Sequence, residues 1–247
     1  MHADCPPITP TQRTAAKWVG FLYLIQMALA VFGDSFVRGR LIVPRDAVQT
    51  AANIAASEPL FRLSIVTDLM VYASVIGLVW GIYIILKPIN KDVALLAAFL
   101  RLVENAILAV TTLTAFIALR LLGDATYLKA FEPAQLQGLA RVFLSAYGMG
   151  LNIGFVFLGL GSAVFSYVWL KSRYIPRVFA GWGIFASLLL TVMTLLAMVF
   201  PAAGDALGMT YMMPMGLYEV GLGLWLLIKG LHEPPPAKAL GTDPAAH

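Results

Sequence analysis

Apolar stretches of about twenty to thirty residues recur along the chain, and short polar breaks separate them. About twenty apolar residues suffice for a helix to cross a bilayer core of about 30 Å. The pattern predicts six spans, over 17–36, 62–86, 90–122, 142–170, 178–200 and 209–229. The first long break carries Arg38, Arg40, Arg45, Asp46, Asn53 and Glu58 with Pro44 and Pro59. Pro44 and then Asp46 read as a helix start, so 47–57 is expected to form a short surface helix. In the second long break Glu132-Pro133 precedes 134–139, an expected second surface helix. Lys87-Pro88-Ile89-Asn90 reads as a tight turn in which proline ends one helix and Asn90 caps the next. The expected fold is therefore all-α: one polytopic membrane bundle of six transmembrane helices over 17–231, with two short surface helices on the outer side. A polar tail over 1–16 precedes it, and a proline-rich, disordered tail over 232–247 ends the chain.

Two spans have a distinctive texture. The fourth is rich in glycine, and Gly150 and Gly154 form a small-xxx-small pair that lets helices approach closely in lipid. The fifth has no ionisable residue and is expected to be the most lipid-facing.

Composition narrows the class. The chain is 60% hydrophobic and 12% charged with mean hydropathy +0.83, whereas a soluble domain is about 25% charged. The net charge of +4 does not point to nucleic acid, because the basic residues cluster at the ends of apolar runs, where they mark topology. The short turns around Lys87 and Lys91 and around Lys171, Arg173 and Arg177 are basic, while the turn over 201–208 has no basic residue. That asymmetry favours both termini in the cytoplasm. Cys5 is the single cysteine, so no intrachain disulfide forms, and the N-terminal tail lacks the pattern of a signal peptide.

Charges inside the spans are the candidate chemistry. Asp68, Arg101, Glu104 and Glu219 fall within apolar runs, and Asn105 and Asn152 join them. Arg101, Glu104 and Asn105 share one helical face, which should look into protein because charge facing lipid is costly. Arg101 is expected to pair with Glu219 or Glu104. A remaining acid is then protonated, bound to a cation or wetted, Asp68 first among the wetted. The competing reading is a polar network that only sets helix register.

Two weaker groupings complete the list. Asp34, Arg38, Arg40, Arg45 and Asp46 form an outer charged cluster, read as a solvated loop or an anionic-headgroup site. Met209, Met212, Met213 and Met215 offer soft thioethers that suit Cu(I), or plain apolar filling beside Pro214. No other metal site is expected: His2, His232 and His247 all lie in the tails.

The run Phe36-Val37-Arg38-Gly39-Arg40-Leu41-Ile42-Val43-Pro44-Arg45-Asp46, the run Leu86-Lys87-Pro88-Ile89-Asn90, the run from Leu95 to Glu104 and the run from Glu219 to Gly230 together resemble a family of bacterial integral membrane proteins, the domain of unknown function number 4386. The resemblance covers 18–230 and implies a polytopic bacterial inner-membrane protein. It implies no activity. This chain has Arg45 where a glycine is common in that family, and Ala73 and Ser74 where a second acid often stands.

Three function classes remain open. The first is a protein that binds or moves a small apolar or lipid-like ligand, or protons, through a polar centre of Arg101, Glu104, Glu219 and Asp68. The second is a non-catalytic accessory subunit of a larger membrane complex. The third, an intramembrane enzyme, lacks a nucleophile beyond Tyr147 and Tyr218, and no cofactor is indicated. A cavity at membrane depth that reaches the four charges favours the first; a dry, closed network favours the second.

Overall fold

The structure is a computed structural model that describes residues 7–44, 46–200, 202, 208 and 210–233. His2, Cys5, Arg45, Met209, most of the turn over 201–208 and residues 234–247 of the C-terminal tail lie outside the described residues. Among those described there is no strand. Six helices are long and apolar enough to cross a membrane. They are α1 (Pro10–Leu41), α3 (Glu58–Leu86), α4 (Lys91–Leu121), α5 (Pro133–Ser172), α6 (Arg177–Val199) and α7, which opens with a 3-10 turn at Thr210–Met212 and continues as Met213–Ile228. A ten-residue helix, α2 (Ala47–Ala56), lies between α1 and α3.

Local chemistry sets the helix ends. Thr9 and Gln12 form a reciprocal capping box, so α1 starts at Pro10, well before the apolar pattern suggests. Asn90 caps α4 by accepting from Val93 N at 3.1 Å, and Asp46 caps α2 by accepting from Gln49 N at 2.8 Å.

The end of α1 corrects the expected loop. Phe32–Arg38 winds as a π-helix and Gly39–Leu41 resumes the α form, so the first part of the expected polar connection continues the first span. The wider turn inserts about one residue, rotating the remainder of α1 by about 100° relative to an unbroken α-helix. Val37, Arg38 and Leu41 are buried as a result.

The second surface helix is also corrected. Residues 134–139 do not form a separate element but are the first turns of the 40-residue α5, because Glu132 caps that helix and nothing after Pro133 breaks it. α2 does form, yet it seals the bundle end: Ile54 and Thr50 are buried, and the helix packs on α5, α3 and the end of α1.

The spans close a ring. α1 packs on α3 and α7, and α3 on α4, α4 on α5, α5 on α6 and α6 on α7 complete the circuit. Small residues allow the close crossings. A Cβ at Gly154 would stand 2.5 Å from Leu108 Cδ2, and one at Gly20 would stand 2.7 Å from the Gly223 carbonyl oxygen. Glycine is required at these places by approach distance, not by backbone angle. α6 is not the least covered span, since α1 buries a smaller share of its apolar window. The reason is that Ser187 and Thr191 let α6 lie against Gly159 of α5.

The outer surface is apolar. Trp80, Val110, Val178 and Ile228 are each at least 67% exposed. Large side chains in that state over six long helices suit a lipid bilayer, not water.

Candidate functional site

Two groups of charge lie inside the ring, and each contains one guanidinium and two carboxyls. The first joins α1, α3 and α5. Arg38 donates from Nη1 to Asp34 Oδ1 at 2.8 Å and to Asp68 Oδ1 at 3.1 Å, and from Nη2 to Asp68 Oδ2 and to the Ser64 carbonyl at 3.3 Å. Tyr147 donates its hydroxyl to Asp68 Oδ2 at 3.2 Å, and its ring lies 4.6 Å from the Arg38 guanidinium carbon. Arg38 and Asp68 side chains are 6% and 9% exposed. This is a forked, closely bonded ion pair with a cation–π contact beneath it.

The second group centres on α4. Arg101 Nη1 lies 2.8 Å from Glu104 Oε2, three residues along the same helix. The approach is close but poorly directed, since neither atom has a partner with hydrogen-bond geometry among the described residues. The Arg101 stem lies against Gly161 of α5, where a Cβ would come 2.8 Å from Cγ. Glu219 of α7 is within electrostatic range of Arg101 but makes no hydrogen bond among the described residues. Asn105 donates to the Tyr72 carbonyl at 3.0 Å and leaves its own oxygen unpartnered.

A half-enclosed cavity of about 170 Å³ lies between the two groups. Asp34, Asp68, Arg101, Glu104 and Glu219 border it, with Tyr72, Tyr147, Gln26 and apolar side chains including Met27, Val75 and Leu108. An engineered apolar cavity of about 150 Å³ holds benzene, so the space suits a small molecule or a headgroup-sized fragment. Gln26 is 5% exposed and its Oε1 has no partner among the described residues.

The structure thus brings Asp68, Arg101, Glu104 and Glu219 to one cavity, with Asn105 beside it. Asn152 is half-buried and outside the lining. Asp68 pairs with Arg38 and also borders the cavity. The outer charged cluster does not hold as a unit: Asp34 and Arg38 turn inward, Arg40 stays exposed over the Phe36 ring, and Asp46 is used as a helix cap. The π-turn divides them. Of the described methionines, Met213 is 62% exposed, while Met215 is buried and its sulfur accepts from the Ser187 hydroxyl. Among the described residues there is no group of three or more His, Cys, Asp or Glu that could hold a metal.

Sequence reasoning missed Arg38 as an internal cation. The available signal was its i,i+4 spacing from Asp34 in a stretch whose apolar positions continue through Val37 and Leu41. It also missed Tyr72 and Gln26, polar groups in spans that carry no local mark of facing a cavity.

A family model described as Domain of unknown function (DUF4386) matches residues 18–230, and the chain belongs to that family. No curated protein and no solved structure matched the chain.

Proposed function

We propose that this member of the DUF4386 family is a multi-pass protein of the bacterial inner membrane, with both termini in the cytoplasm, that binds a small ligand with a polar group in the cavity between its two charge groups. One observation carries the reading: a cavity of about 170 Å³ reaches Asp68, Arg101, Glu104 and Glu219 together. A network that only set helix register would fill this space with side chains, because unpartnered buried polar atoms are costly. Three residues that border it each hold a buried atom without a well-directed hydrogen bond among the described residues: Gln26 Oε1, and Arg101 Nη1 and Glu104 Oε2, which meet each other only as an ion pair. A ligand with donors and acceptors supplies those partners and is held by them. Side chains of α1, α3, α4, α5 and α7 all reach the lining, so occupancy couples five of the six spans.

The test is to purify the protein in mild detergent and identify small molecules released on denaturation. A bound species is expected in the wild type and is expected to be lost in Val75→Phe and Ala30→Phe, which fill the cavity with hydrocarbon. Loss must occur with elution on gel filtration unchanged. A wild type that carries nothing, and whose melting temperature no small molecule raises, overturns the reading.

A further inference from the structure

We propose that the cavity is loaded sideways from the bilayer, between α1 and α7, and that its ligand is a single-chain amine whose alkyl chain lies in a groove on the lipid-facing surface and whose ammonium enters the cavity. The proposal deepens the reading above and rests on it.

The groove, of about 440 Å³, is lined by Leu24, Ala28, Val31, Phe32, Phe36 and Val220, together with Met27. Every one of these side chains is apolar. The groove is formed by α1 and α7, two of the helices long and apolar enough to cross a membrane. Met27 borders both this groove and the internal cavity and is the side chain they share. Methionine suits a door, since it is unbranched, with three rotatable bonds and a polarizable sulfur. The backbone at the same place is irregular. The π-helix Phe32–Arg38 offers Phe32 and Phe36 to the groove, Asp34 to the cavity and Arg38 to Asp68. π-turns inside helices are frequent at functional sites.

Charge selects the head. Around the cavity Asp34, Asp68, Glu104 and Glu219 face two guanidiniums, Arg38 and Arg101. Arg38 is committed to Asp34 and Asp68, which leaves Glu219 without a hydrogen-bonded partner among the described residues. The second observation is independent of the acids: Gln26 is buried and borders the cavity, and its Oε1 accepts nothing from the described residues. A primary ammonium brings three donors and one positive charge, which match Glu219, Glu104 and Gln26. A neutral alcohol brings one donor and no charge, and an alkyl carboxylate or phosphate adds to the excess of acids. The smallest molecule that serves both the groove and the cavity is an alkylamine.

The experiment measures binding of dodecylamine, dodecanol and ethylamine to the full chain in lipid nanodiscs, by native mass spectrometry and by rapid mixing. Dodecylamine is expected to bind about tenfold or more tightly than either of the others, and Glu219→Gln is expected to remove about that factor. Met27→Trp, or Met27→Phe if the first does not fold, is expected to slow dodecylamine association about tenfold. Equal binding of amine and alcohol overturns the proposal, and so does an unchanged association rate in both Met27 variants. The cavity reading stands after either result. It fails separately if Val75→Phe binds dodecylamine as the wild type does and no molecule copurifies with the wild type.

Discussion

The two charge groups have the same formula and opposite quality. At the α1–α3–α5 junction, Arg38 meets Asp68 with both arms of its guanidinium, Asp34 and the Ser64 carbonyl take further bonds, and Tyr147 lies beneath it. Only its Nε lacks a partner among the described residues. At the centre of α4, Arg101 touches Glu104 at 2.8 Å without alignment, and Glu219 has no hydrogen bond among the described residues. The first pair joins helices distant in sequence, so its geometry could be shaped by packing. The second is tied to one helix, where three-residue spacing brings two side chains near each other but does not aim them. A buried ion pair repays its desolvation only when its geometry is good and its other valences are met. Arg38–Asp68 meets that condition, and Arg101–Glu104 does not without a third party. On this contrast the first group is built to hold the bundle and the second to bind.

The largest expected effect comes from breaking the first group. Arg38→Leu leaves Asp68 buried without its cation and should cost about 3–5 kcal/mol. Adding Asp68→Leu should restore most of the loss, because an apolar pair can replace a buried ion pair. Melting in detergent by intrinsic fluorescence reads both; a double variant no more stable than Arg38→Leu would break the comparison.

The second group should respond less. Arg101→Leu is expected to cost about 1–3 kcal/mol, since the pair it removes was not fully bonded. Glu104→Gln should cost less than that, as it removes a charge from the side where acids are in excess. Melting temperatures in the order Arg38→Leu, Arg101→Leu, Glu104→Gln, lowest first, are the expected result. Gly161→Ala sharpens the point, because its methyl presses on the Arg101 stem. It should fall in the range of about 1–3 kcal/mol for overpacking and should alter ligand retention as well as stability.

Tyr147→Phe removes one hydroxyl contact to Asp68 while leaving the ring beneath Arg38, and about 1 kcal/mol is expected. Gly148→Ala should be neutral or gain up to about 1 kcal/mol, since nothing lies within 4 Å of the added carbon. A loss as large as that of Gly161→Ala would show that the α5 glycines act through the helix backbone and not through the neighbours they admit.

Much of the fold could be read along the chain. Six apolar runs mark the six spans, Asn90 caps α4, and Gly154 sits where α5 meets Leu108 of α4. These features depend on residues a few positions apart or on a run long enough to cross lipid. Asp68, Arg101, Glu104 and Glu219 were legible for the same reason, since a charge inside a long apolar run has to face protein. What escaped was direction. Asp34, Arg38, Arg40 and Asp46 look like one polar patch, yet a π-turn sends the first two inward and leaves Arg40 outside.

By itself the sequence determined how many rods there are and which neighbours on a single helix share a face, because helix geometry repeats every 3.6 residues and lipid tolerates no unpaired backbone. Only the tertiary structure decided that Arg38 belongs to Asp68, that α7 closes the ring against α1, and that a cavity separates the two charge groups. Those outcomes depend on each helix's rotation about its own axis, which many small contacts between distant segments set together and no local pattern encodes.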